Sequence, residues 1–171
     1  MTSLLTSLVF VAGCTNFERQ VLATATFSDA KGVVCKPIIR TLEWTEAMIN
    51  YTPSDQRKIE LKLTPRVNDD GTITERIELK DETTTRNENG KGQGGTVSSR
   101  LSIVKPEAVG KEILLSIKDG RFRAFEPVGE GYKVFFASDR SESAGAVLSE
   151  KPVAVGNEIL IALGCKVIEM R

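Results

Sequence analysis

The chain contains no histidine. That absence removes the side chain that most often serves as general base, nucleophile activator or metal ligand near neutral pH, and hydrolytic and metal-centred chemistry recede with it. Cysteine is sparse. Cys14, Cys35 and Cys165 are widely spaced and form no C-x-x-C pair, so no zinc site is expected. Neither sign of charge dominates: Lys and Arg number 23, Asp and Glu 23. No net field is left to recruit nucleic acid or an anionic membrane. Paired carboxylates, a nucleophile with a base, or a set of metal ligands cannot be assembled from what remains. The chain therefore reads as non-enzymatic, with no catalytic residue, cofactor or metal.

What is present suits one domain. At 171 residues, with 40% hydrophobic and 27% charged residues, the chain is long enough to bury a real core. Residues 57–80 carry the clearest pattern. Ile59, Leu61 and Leu63 alternate with Lys58, Glu60, Lys62 and Thr64, the period of a strand with one dry face. Asn68-Asp69-Asp70-Gly71 follows, and Asp-Gly favours a tight turn because Gly takes positive φ without a Cβ penalty. Ile73, Ile77 and Leu79 then resume one face of a second strand. Together these make a β-hairpin.

The remainder continues in the same style. Residues 16–30 are open between helix and strand: Phe17, Val21 and Leu22 have helical spacing with Asn16 as N-cap, while Thr24, Thr26 and Phe27 suit a strand. Pro37, between Val33-Val34-Cys35 and Ile38-Ile39, points to an edge strand or a bulge. Residues 45–51 suit a short strand or half a helical turn. Residues 81–96, rich in Gly, Asn and Thr, read as a flexible loop; GKGQGGT within it lacks phosphate-loop spacing and no helical pattern follows. Strands are expected at 97–104 and 112–118, turns at 106–110 and Asp119-Gly120, and a fully buried aromatic strand at 132–137. Residues 138–145 read as a second polar loop, and two apolar stretches at 158–163 and 166–168 are broken by Gly164. An internal echo links KPEAVGKEILLSI at 105–117 to KPVAVGNEILIAL at 151–163, two turn–strand units in equivalent or adjacent places of one sheet. Trp44, between Glu43 and Glu46, reads as a partly buried packing residue.

The N-terminal stretch 1–14, MTSLLTSLVFVAGC, has an apolar run at 4–12. It is shorter than the roughly 20 residues of a spanning helix but suits the apolar region of a signal peptide. Val11-Ala12-Gly13-Cys14 resembles the lipobox of bacterial lipoproteins, which implies that Cys14 is lipidated after export. The other reading is a buried first strand or helix with an incidental cysteine. On the export reading, Cys35 and Cys165 remain as a candidate disulfide pair in an oxidising compartment.

The order of segments resembles the core of the secretin domain, the β-rich module of type II and type III secretion outer-membrane proteins. The resemblance rests chiefly on residues 63–74, LTPRVNDDGTIT, with Thr64, Pro65, Asn68, Asp70 and Gly71 as its signature. Residues 31–42, 46–50, 97–101 and 159–171 resemble flanking segments of the same family in the same order. Two family segments differ: Lys118-Asp119-Gly120 leads into Arg121-Phe122-Arg123 rather than Gly-Gly-Leu, and a Val-Pro-x-x-Gly-x-x-Pro stretch is absent. The resemblance implies protein partners, including other copies of the chain.

The sequence thus predicts a mainly β fold, a single antiparallel β-sheet domain of hairpins and meanders with at most one short N-terminal helix. Residues 1–14 are a signal or lipobox segment, 15–30 a connecting segment and 31–171 the secretin-like domain. The expected role is protein–protein contact in, or accessory to, a secretion assembly of the bacterial cell envelope, in the periplasm or at the outer membrane. Contact with the membrane is expected only through an N-terminal lipid, and none with nucleic acid. Two alternatives are a truncated outer-membrane secretin subunit forming an oligomeric pore and a soluble structural β-domain that is not exported. Charges on the 72–104 hairpin, among them Glu75, Glu78, Arg86 and Arg100, argue against its insertion in lipid.

Overall fold

The computed structural model describes residues 19–85, 95–138 and 145–168. Among these it contains strands and turns and no helix. The strands are β1 (Gln20–Asp29), β2 (Gly32–Cys35), β3 (Ile38–Leu42), β4 (Ala47–Ser54), β5 (Arg57–Val67), β6 (Thr72–Thr85), β7 (Gly95–Ala108), β8 (Glu112–Lys118), β9 (Arg121–Val128), β10 (Gly131–Ala137), β11 (Val147–Leu148) and β12 (Ile159–Ile168). The mainly β, antiparallel reading holds, and the strands divide between two sheets. One has the order β11-β10-β9-β8-β12-β1-β2, with β3 also pairing β1; the other has the order β4-β5-β6-β7.

The two sheets share one core, and the alternation of the sequence explains how. Val21, Ala23, Ala25 and Phe27 of β1 point inward, as do Ile113, Leu115 and Ile117 of β8 and Ile159, Ile161 and Leu163 of β12. From the four-stranded sheet they meet Ile49, Ile59, Leu61, Leu63, Ile73, Ile77, Leu79 and Leu101. Fully burying each Ile or Leu contributes about 1.5–3 kcal/mol, so this shared layer holds the sheets together. Strands β8 and β12 are covered on both faces, which is why ILLSI and ILIAL read as unbroken apolar runs. Their outer face carries a smaller cluster of Leu114, Phe125, Val134 and Leu160. Buried beside it, Glu158 accepts from the Ser116 hydroxyl, from Arg123 Nη2 at 2.6 Å and from the Val155 N–H at 3.2 Å. Each polar group there has a partner, as burial requires.

Several local expectations hold. Pro37 lies where β2 and β3, both against β1, are interrupted at the sheet edge; its carbonyl accepts from the Ala25 N–H at 3.1 Å. Asp119 and Gly120 have φ of 49° and 71°, the two left-handed residues of a hairpin turn matched to strand twist. The echoed units place β8 and β12 side by side, Leu115 opposite Ile161. Each opens on a glycine with positive φ, Gly110 and Gly156.

Of the two readings open for residues 16–30, residues 20–29 take the strand. Other expectations are corrected. The expected loop at 81–96 is strand at both ends, because β6 runs to Thr85 and β7 starts at Gly95; residues 86–94 lie outside the described residues. Pro106 is inside β7 rather than in a turn, which an edge strand tolerates because the missing N–H takes nothing from the ladder to β6. Gly164 does not break β12 but sits mid-strand, where a Cβ would come within 3.2 Å of Glu112 Cγ. In β10 Val134 is buried and its neighbours are half-buried, not a fully buried run.

Candidate functional site

The signature residues assemble one corner of the four-stranded sheet. Thr64 and Pro65 lie near the end of β5, opposite Arg76 and Glu75 of β6, with Pro65 two residues short of Val67, where the strand ends. In a strand the N–H and C=O of one residue point to the same side. The Pro65 carbonyl accepts from the Trp44 N–H at 2.8 Å, so the missing donor of Pro65 faces the space beyond β4, not β6. Asn68 closes the turn with its backbone: its N–H reaches the Thr72 carbonyl at 2.8 Å, and its carbonyl accepts from Gly71 N at 3.1 Å. Its side-chain amide donates to Thr72 Oγ1 and Thr74 Oγ1, both at 2.8 Å. Asp70 Oδ1 accepts from the Thr72 N–H at 2.9 Å and hydroxyl at 2.6 Å, and those bonds hold its carboxyl below the usual range. Gly71, at φ 81°, takes the one position that a Cβ would strain.

Against this corner stands Trp44. Its φ is 66°, a genuine outlier for a bulky residue, and the residue is 64% exposed. Arg66 lies over the ring, 4.8 Å from its centroid. The strained turn is held from both sides: Glu43 Oε1 accepts from the Val67 N–H at 3.1 Å, and Thr41 Oγ1 donates to the Thr45 carbonyl at 3.1 Å. The expected packing residue is instead a displayed aromatic with a cation stacked on it.

The same sheet has two open edges. Among the described residues β4 pairs only with β5, and β7 only with β6. β7 extends over 14 residues with Val97 and Val104 exposed. Its inner face is used by the core. Its outer face is mostly polar, with Met48 and Val104 as exposed apolar exceptions, and opposite charges are set directly across strands, Glu60 with Lys80 and Lys62 with Glu78. Glu46, 3.1 Å from Lys62, raises that ammonium. The sheet therefore offers backbone donors and acceptors at both sides and no apolar band on its free face.

The other sequence candidates do not gather here. Cys14 lies outside the described residues. Cys35 and Cys165 are free thiols and do not form the expected pair. β1 runs between them, with Cys35 opposite Phe27 and Cys165 opposite Ala23. Two strand spacings and four residues of rise separate them by roughly 16 Å, well beyond the about 7 Å limit for a disulfide. Burial raises both thiols. Among the described residues no group of acidic or cysteine side chains is placed to hold a metal.

No family model matches the chain, and no curated protein matches it. Two solved structures similar to it come from the Salmonella SPI-1 type III secretion injectisome. One is the near-atomic resolution cryo-EM structure of the secretin InvG, at 10% identity and a TM-score of 0.41, covering 90% of this chain and 62% of that one. The other is a chain from the atomic model of the basal body proteins InvG, PrgH and PrgK, at 10% identity and a TM-score of 0.41, covering 90% of this chain and 44% of that one. This chain thus spans less than two thirds of the length of either.

Proposed function

We propose that the protein is a non-enzymatic component of the bacterial cell envelope whose secretin-like β-domain works by protein–protein contact within, or accessory to, a secretion assembly. The observation that carries this reading is the four-stranded sheet with both edges unpaired. One of its faces is sealed into the core and the other is charged. Such a sheet gains partners by strand addition along β4 and β7, because an extended chain laid there completes backbone hydrogen bonds that water otherwise serves. Other copies of the chain fit this role, since one edge of each copy meets the opposite edge of the next. Trp44 and Arg66 stand beside the β4 end of the sheet, and these residue types dominate binding energy at protein interfaces. With a polar outer face, the sheet is a contact module rather than a lipid-facing wall.

On this reading the apolar run at 4–12 is an export signal, and Cys14, in its lipobox-like setting, is the lipid attachment point that links the chain to the membrane. Fractionation of producing bacteria, with cross-linking in intact cells, tests the proposal. The chain is expected in the envelope fraction, in complexes larger than a monomer. Recovery wholly in the cytosolic fraction as a monomer overturns it.

A further inference from the structure

Glu75 breaks the pattern of its strand. The inward positions of β6 are Ile73, Glu75, Ile77, Leu79 and Asp81, so an acid sits in the apolar phase and the sequence alone marks it as odd. Asp81, at the next break in that phase, is satisfied by Arg57. Glu75 is 3% exposed; Lys105 of β7 lies directly opposite it, yet among the described residues the two form no ion pair. Glu107 of β7, 8% exposed, lies opposite Ile73 and is therefore the diagonal neighbour of Glu75 on the same face. Oε2 of Glu75 and Oε1 of Glu107 are both buried without a hydrogen-bond partner. Leaving such an atom unpaired is costly, and leaving it charged more so.

The surroundings do not supply the missing charge. From β12 the Cys165 thiol offers Glu75 a weak donor. From β7 the Lys105 ammonium stands 3.9 Å from Glu107 Oε1, but it is bound to Glu126 of β9 and lies over the Phe135 ring. Lys111, after the turn, draws on Glu107, and Lys133 of β10 repels Lys105. Three carboxyls, Glu75, Glu107 and Glu126, thus converge on one near ammonium. A proton on the inner pair removes one negative charge and turns an orphaned acceptor into a donor.

We propose that Glu75 and Glu107 form a proton-binding site that seals the end of the four-stranded sheet against β12, closed while it holds a proton and loosened when it loses one. Burial, aided by the Glu107 charge and partly opposed by the Cys165 thiol, pushes Glu75 up to about 7. Burial also raises Glu107, against the pull of Lys105 and Lys111. The sign follows from linkage. A carboxyl raised in the folded state keeps a proton that the unfolded chain has already released, so folding is favoured by acid. This contribution is present below the ordinary carboxylate range and is lost as pH rises to about 7. Above that it is level.

The test is denaturant unfolding of the full chain from pH 5 to pH 8, in wild type and Glu75→Gln, with an infrared titration of the protonated-carboxyl C=O band. The wild-type unfolding constant is expected to rise by about two orders of magnitude more than that of Glu75→Gln over this range. The band is expected in the folded wild type at pH 5, to fade towards pH 8, and to be weakened in the variant. Equal pH dependence in the two chains, or no such band in the folded protein, overturns the proposal. If Glu75→Gln does not fold, Glu107→Gln and the wild-type infrared titration decide it.

Discussion

Asp81→Ala separates a loop residue from an anchor. Asp81 is 3% exposed in its side chain and takes a two-pronged contact from Arg57, Nε to Oδ1 at 2.9 Å and Nη2 to Oδ2 at 2.9 Å. The third nitrogen of Arg57 donates to the Asn157 carbonyl at 2.6 Å, in the turn before β12. The pair therefore ties the four-stranded sheet to the eight-stranded one. Removing the carboxylate leaves a largely buried guanidinium uncompensated, a change that costs about 3–5 kcal/mol. With a urea dependence of about 1–3 kcal/mol per molar, the unfolding midpoint should fall by roughly 1–5 M. Arg57→Met with Asp81→Leu, which removes both charges, should recover much of the loss. Urea unfolding followed by circular dichroism measures all of these. A change for Asp81→Ala within about 0.5 kcal/mol, the value of an ordinary surface substitution, refutes the anchoring role and restores the loop reading of 81–85.

Trp44→Gly should relieve a left-handed backbone and stabilise the isolated chain by about 1 kcal/mol, while weakening its self-association; thermal unfolding and sedimentation give the two effects separately. Trp44 is the sole tryptophan, so its emission should be that of a solvated indole and should shift to the blue when copies assemble. Cys35 and Cys165 should both be alkylated in the unfolded chain without reductant, Cys165 resisting in the folded state; a Cys35–Cys165 disulfide peptide in the oxidised protein contradicts the register around β1. Stability should fall between pH 5 and pH 8 through Glu75, opposite in sign to a protein held by salt-bridged carboxylates.

How far the fold was legible depends on where period-2 alternation had a reason to exist. Ile59, Leu61 and Leu63 face the core, so burial wrote β5 into the sequence. Beyond Asp81 the β6–β7 ribbon has little core to face: Glu82 to Thr85 are half-buried or exposed, and backbone pairing holds them without an apolar phase. Polar composition there looked like a loop. Gly164 looked like a break because nothing local shows that Glu112 packs against it. The pairing of β12 with β1 joins residues far apart in the chain, and only the shared core selects it. At the candidate site, Asn68, Asp70 and Gly71 were legible because their roles are local. Exposed Trp44 was not, since its strained φ is imposed by Glu43 and Pro65 across the corner. Glu75 carried a signal, an acid in an apolar phase.

Edge-to-edge contact of the four-stranded sheet is tested most directly by cysteines placed on its two open strands. Met48 and Ser102 lie in one row, Met48 opposite Lys62, Lys62 opposite Glu78 and Glu78 opposite Ser102. They are three strand spacings apart, about 14 Å, too far to join within one chain through a short thiol cross-linker. In a chain with Cys35 and Cys165 changed to alanine and Cys14 kept, since a lipidated thiol cannot cross-link, Met48→Cys with Ser102→Cys should give a ladder of dimers, trimers and larger species. Each single variant should stay monomeric, because its cysteine then faces the other edge of the neighbouring copy and meets no second thiol. A double variant that stays monomeric on cross-linking in intact cells contradicts the account.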